Sequence, residues 1–204
     1  MEKNPTQGIE RNKEQSRERY ITKEEMVRFR QVLNEEKNEL IKDFILILLY
    51  TGVRKTNVLE MEWKDISIAE EVWNIPKTKN GKPQNVALTK EVIEILKKRK
   101  LESKSKWVLQ SDTSKSGHLE HPYRAWYKIC QKASMENLRI HDLRRTFATW
   151  MVDEGVSPYV MRVVLNHGSI HSTSIYARAN LGLVRQYMSK VTQMMNECTG
   201  SSVL

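Results

Sequence analysis

Apolar residues recur along this chain first at helical spacing, then at strand spacing, then at helical spacing again. Met26, Phe29, Val32 and Leu33 fall on one face of a helix. Thr22 with Glu25 three positions on forms a capping box at its start. From Glu39 to Tyr50, Leu40, Ile41, Phe44, Ile45, Ile47, Leu48 and Leu49 leave little polar face, which predicts a central buried helix. Thr51-Gly52 ends it, because glycine readily takes the left-handed conformation that closes a helix. A short helix with Arg54, Val58, Leu59 and Met61 follows, ending at Trp63.

From Asp65 the period shortens. Ile66 with Ile68, then Val72, Trp73 and Ile75, then Val86 with Leu88, predict a small three-stranded antiparallel sheet. Asn80-Gly81 within Lys77–Lys82 marks a hairpin turn between the last two strands, with a lysine-rich tip. Helical spacing then returns. Thr89 is expected to cap a helix carrying Val92, Ile93, Ile95 and Leu96, ending in the cluster Lys97–Lys100. After Trp107–Leu109 and a polar loop from Gln110 to Gly117, helices are expected over His121–Ala133 and from near His141 to a stop at Gly155. Another begins at Ser157-Pro158, as N-cap and first-turn proline. Tyr176 is expected on or beside a short helix, and Leu181 to Met195 forms a last amphipathic one. The fold class is therefore α+β, mostly helical, with a small sheet.

Residues 1–19 hold almost no large apolar side chain and read as a flexible tail or the remnant of an interdomain linker. Residues 20–204 form the one expected domain. With 39% hydrophobic residues the chain can build a packed core. Its net charge of +9 points to an anionic partner, nucleic acid ahead of an acidic membrane surface. The most apolar run, Phe44–Tyr50, is far short of the ~20 residues that span a bilayer. Cys130 and Cys198 are distant and lack metal-site spacing, so free thiols in a reducing, intracellular compartment are expected. A Walker loop and a G-x-G-x-x-G motif are both missing, and nothing supports nucleotide use.

Six residues carry candidate chemistry. Arg54 follows the most buried helix, where its planar fork suits a phosphate, although a surface role fits position alone equally well. Lys79 at the hairpin tip can reach into a groove, with Lys82 of the same hairpin as the competing candidate; as an isolated lysine it would be read as ordinary turn decoration. His141 and Arg144 share a helix face near its start, where two cations oppose the helix dipole and an anion between them would explain the pair. The blander account has His141 capping the helix while Arg144 pairs with Asp142 or Glu154. His167 and His171 are four apart, yet Gly168 and Ser169 make that segment a poor helix, and a metal pair has little support. Tyr176 is a packing tyrosine unless cations stabilise its phenolate, since an unperturbed phenol ionises near pH ~10.

Taken together, Thr51-Gly52-Val53-Arg54, Thr78-Lys79-Asn80-Gly81-Lys82, His141-Asp142-Leu143-Arg144-Arg145-Thr146-Phe147 and Leu165-Asn166-His167 with Ser174-Ile175-Tyr176-Ala177 resemble, in order, the catalytic domain of tyrosine recombinases of the phage integrase family. The resemblance covers roughly residues 20–195. It implies that Arg54 and Arg144 clamp phosphate, that Lys79 protonates the leaving 5′ oxygen, and that His141 and His167 assist proton transfer. Tyr176 would be the nucleophile forming a 3′-phosphotyrosyl link. It further implies double-stranded DNA as partner, no cofactor, metal or ATP, a cytoplasmic, nucleoid-associated location, and a homo-tetramer on DNA joined through the C-terminal helix. That helix alternatively packs on its own domain. A type IB topoisomerase-like activity and a catalytically weak DNA-binding module are the rival readings.

Three departures from the family pattern bear on activity. An acidic residue is common three positions after the first arginine, and Asn57 stands there. The glycine usual before the second histidine is Asn166, the residue next most tolerant of a left-handed conformation. A separate N-terminal DNA-clamping domain is not recognisable in these residues, so the chain reads as a catalytic fragment or as a recombinase of little more than this domain.

Overall fold

The structure is a computed structural model, and it describes residues 17–78, 81–166 and 181–198. Helix α1 spans Lys23–Glu35 and starts with the expected capping box: Glu25 N–H donates to the Thr22 hydroxyl, and Thr22 N–H donates to the Glu25 carboxylate. Helix α2, Glu39–Thr51, is buried along nearly its whole length, as its all-round apolar pattern requires. Short α3, Lys55–Leu59, leads through a single 3-10 turn at Trp63–Asp65 into the sheet.

Strands β1 (Ile66–Ser67), β2 (Val72–Ile75) and β3 (Gln84–Ala87) form one antiparallel sheet in the order β1-β2-β3. Trp73 pairs with both Ile66 and Val86, which stacks three apolar side chains across the sheet. Ile68 and Leu88 lie just past their strand ends, so the strands are shorter than their apolar runs.

Helices α4 (Lys90–Glu102), α5 (Tyr123–Lys132), α6 (Asp142–Asp153) and α7 (Pro158–Leu165) follow. Helix α4 runs beyond the lysine cluster to Glu102. Thr89 occupies its N-cap position, but the side chain makes no capping bond, and its buried hydroxyl finds no partner among the described residues. Helix α5 begins at Tyr123, two residues later than the apolar pattern suggests, with Pro122 in the cap position. Ser157 accepts from Val160 N–H with Pro158 in the first turn, as expected.

Helix α6 lies against α2, the two forming the centre of the molecule. Phe147 and Trp150 on α6 are both almost fully buried there. Phe29 of α1 meets Trp126 of α5 edge-on, with ring centres 5.8 Å apart. The last helix, α8 (Leu181–Glu197), buries Val184, Met188, Val191 and Met195 against its own chain, on α1, α2, α6 and β3. Each such side chain contributes about 1.5–3 kcal/mol when fully buried. The ion pair of Lys190 with Glu154, whose lysine is 64% exposed, adds at most about 1 kcal/mol. Apolar burial therefore holds α8 in place, and the stripe that could dock on a neighbour is occupied within this chain.

Candidate active site

Three of the six candidate residues, Arg54, His141 and Arg144, lie within the described residues. Lys79, His167 and Tyr176 lie outside them, as does His171.

The site is built from the end of α2 outward. Gly52 caps α2 with φ of +62°, and a Cβ at that position would sit 2.5 Å from Cδ1 of Phe147. Both the backbone conformation and the close approach to α6 demand glycine here. The turn it makes sends the chain into Arg54, the N-cap residue of α3. It also turns the Gly52 carbonyl toward α6, where it accepts a hydrogen bond from Arg144 Nη1 at 2.7 Å.

Arg144 is 6% exposed. Its second terminal nitrogen, Nη2, donates to the Leu165 carbonyl at the end of α7. Burial, and then the neighbouring Arg54 guanidinium, bring its pKa down to about 10, so it remains a cation at neutral pH. Neither Asp142 nor Glu154 pairs with it. Asp142 is bound by Arg17, by the backbone N–H of Arg139 and by Arg145, while Glu154 pairs with Lys190. The blander account of Arg144 therefore fails. Arg17 and Arg19, both inside the stretch read as a tail, already hold the body, the first through Asp142 and the second through Glu25.

Arg54 is half-buried. Its Nη2 reaches the Asn166 carbonyl at 3.4 Å, while its buried Nη1 has no hydrogen-bond partner among the described residues. No carboxylate of the described residues pairs with either guanidinium. A buried donor without an acceptor costs about 1–3 kcal/mol, which an incoming anion would recover. Asn57, half-buried one turn beyond Arg54, likewise leaves its side-chain nitrogen without a partner among the described residues. Among the described residues, then, the two cations lie near each other with no carboxylate to neutralise them.

His141 precedes the first residue of α6 and its side chain makes no capping bond. The residue is exposed, yet partial desolvation of the ring, followed by the charges of Arg144 and Arg145, holds its pKa below the ordinary histidine value. It is the neutral imidazole that stands beside the arginines at pH 7.

A second feature was not anticipated from the sequence. The last carbonyls of α7 are taken one after another by side chains from different elements. Val164 accepts from Gln84 Nε2 of β3 at 2.8 Å, Leu165 from Arg144 of α6, and Asn166 from Arg54. A helix C-terminus carries partial negative charge, which suits two guanidiniums. Gln84 could have been noticed: it shares the inward register with Val86 and Leu88, where a polar residue needs a partner. Asn166 itself adopts the left-handed conformation, φ 47° and ψ 49°, as its residue type suggests. Its side-chain Nδ2 donates at 3.1 Å to the hydroxyl of Thr78, the residue before Lys79 in the chain.

Two guanidiniums, one with an unspent buried donor, are thus held at the carbonyl end of α7, with His141 next to them at the start of α6. The chain belongs to the phage integrase family, whose model matches residues 19–181. It is 29% identical over 184 residues to the integrase of Salmonella phage P22, covering 84% of this chain and 46% of that protein. It is 31% identical over 163 residues to the tyrosine recombinase XerA of Saccharolobus solfataricus, covering 78% of this chain and 53% of that one. The chain thus spans about half the length of these curated relatives. Among solved structures, the integrase from mycobacterium phage Brujita superposes with a TM-score of 0.70 at 16% identity, over 90% of this chain and 65% of that one. The Tn1549 transposon integrase, solved in complex with circular intermediate DNA, gives 0.63 at 17% identity, over 83% of this chain and 66% of that one. At such identities the likeness is one of fold, and it is the mostly helical fold with a small antiparallel sheet described above.

Proposed function

We propose that residues 20–204 are the catalytic domain of a site-specific DNA recombinase or integrase that cleaves and rejoins strands through Tyr176. The observation that carries this reading is the pair Arg54 and Arg144, fixed by the carbonyl end of α7 with a buried donor of Arg54 unspent. Membership of the family and the relatives named as integrases and recombinases support it.

In the proposed step the Tyr176 oxygen attacks the scissile phosphorus while the bond from phosphorus to the 5′ oxygen breaks. The phenol proton passes to a histidine, His141 or His167, and Lys79 gives a proton to the departing 5′ oxygen. One phosphodiester is exchanged for one phosphotyrosyl ester, so rejoining is the same step reversed. Arg54 and Arg144 stabilise the charge that grows on the non-bridging oxygens, a contribution that fixed donors make with little reorganisation. The partner is double-stranded DNA, which places the protein with the nucleoid in the cytoplasm. A homo-tetramer on DNA remains part of the proposal; if α8 joins the protomers, its apolar stripe must leave the core it occupies here.

A duplex nicked near the cleavage position tests the chemistry, because the short released strand diffuses away and leaves the covalent adduct trapped. Wild type is expected to form an adduct and Tyr176→Phe none, with DNA binding intact in both. Binding without adduct in either protein would leave a DNA-binding module and sink the proposal.

A further inference from the structure

Asn166 contacts α7, Arg54 and Thr78 at once. Its backbone N–H closes α7 on Arg162 and Val163, its carbonyl accepts from Arg54 Nη2, and its side chain reaches Thr78 across the molecule. A left-handed C-cap requires only glycine-like freedom; it does not require a side-chain amide. The amide therefore has a second use. Thr78 is 4% exposed, and its hydroxyl hydrogen is committed to the Lys82 carbonyl at 2.9 Å, so its oxygen is left to accept the Asn166 amide hydrogen. The Thr78 backbone also closes the turn, donating to the Lys82 carbonyl and accepting from Gly81 N–H. Thr78 is thus the fixed base of the hairpin, and Asn166 holds that base against the end of α7.

We propose that Asn166 is a positioning residue: its side chain ties the β2–β3 hairpin to the α7 terminus, so that the lysine following Thr78 is set relative to the phosphate held by Arg54. This rests on the function proposed above. A glycine at position 166 would keep the left-handed turn and lose the tether. The loss would fall on protonation of the leaving oxygen, with the two arginines left in place.

The test compares the first cleavage turnover on nicked duplexes carrying either an ordinary 5′ oxygen or a 5′-bridging sulfur at the scissile position. A thiolate leaves without a proton, so a defect in proton delivery disappears on the sulfur substrate. Asn166→Gly and Thr78→Val are each expected to slow cleavage of the oxygen substrate by about tenfold, a fraction of what a general acid supplies. The double variant should be no slower than Thr78→Val alone, because that variant already lacks the Asn166 contact as well as the hydroxyl's own bond to the Lys82 carbonyl. On sulfur the deficit should shrink to within about twofold, as it should for Lys79→Ala, and Thr78→Ser, which keeps the acceptor, should restore the rate. Equal deficits on both substrates, multiplying deficits in the double variant, or an undiminished rate in Asn166→Gly would each overturn the tether. Wild-type protein forming no adduct on either substrate overturns the underlying function instead. Asn166→Gly has the strain-free residue at a left-handed position, so its result does not depend on the hairpin surviving Thr78→Val.

Discussion

Two regions meet at Gly52, and they are held by different forces. On one side, the seam between α2 and α6 is apolar, closed by Phe147 against a glycine that leaves no room for a Cβ. On the other, the end of α7 is held by polar side chains, with Gln84, Arg144, Arg54 and Asn166 each spending a hydrogen bond there. Apolar burial is non-directional and tolerant of small shifts, whereas hydrogen bonds to consecutive carbonyls fix both distance and orientation. The seam supplies stability and the α7 end supplies geometry. The phosphate site proposed here needs the second, because fixed donors stabilise developing charge only when already aimed.

Substitutions on each side should separate the two. Phe147→Ala is expected to cost about 3–5 kcal/mol of stability through the cavity it opens, read as a drop in the urea midpoint. Arg144→Gln should do the reverse. Removing a buried cation also removes its desolvation and its repulsion from Arg54, so stability changes far less than in Phe147→Ala. Adduct formation on the nicked duplex should fall by about 10²–10³-fold, the usual loss for one preorganised donor. An Arg144→Gln protein that melts early and cleaves normally would reverse the assignment of the two regions.

The smallest effect concerns His141. Its folded pKa lies below the ordinary ~6.5, so the unfolded chain binds more protons in the acid range. The resulting penalty is absent above about pH 6.5, where both states are neutral, and grows as pH falls until the folded imidazole also titrates. His141→Gln should therefore reduce part of the acid-side loss of stability, and the imidazole titration followed by NMR should have a midpoint below that of a free histidine. A midpoint above it would mean that the Asp142 carboxylate, and not burial together with the guanidiniums, dominates the surroundings of His141.

Much of the fold was legible because its signals are local. The capping box at Thr22, the all-apolar face of α2, the glycine stop at position 52 and the Ser157-Pro158 start each involve residues within about one helical turn. At Thr89 the local signal placed the helix start but not the bond: the residue is the N-cap of α4, yet its buried hydroxyl finds no partner among the described residues. At the site, the ordered motifs drew attention to Arg54, His141 and Arg144. They could not show that Arg144 ignores the acids nearest to it, since Asp142 is taken by an arginine 125 residues away.

By itself, then, the chain determined its periods, its caps, its left-handed positions at Gly52 and Asn166, and its excess of positive charge, all set by neighbouring residues and by composition. Tertiary structure alone decided how the α7 end is pinned, because its partners Gln84, Arg54 and Thr78 lie 80, 112 and 88 residues from the groups they bind. Each of those bonds depends on directional groups brought within about 3 Å by the packing of α2, α6 and the sheet. No pattern of neighbours encodes such a distance.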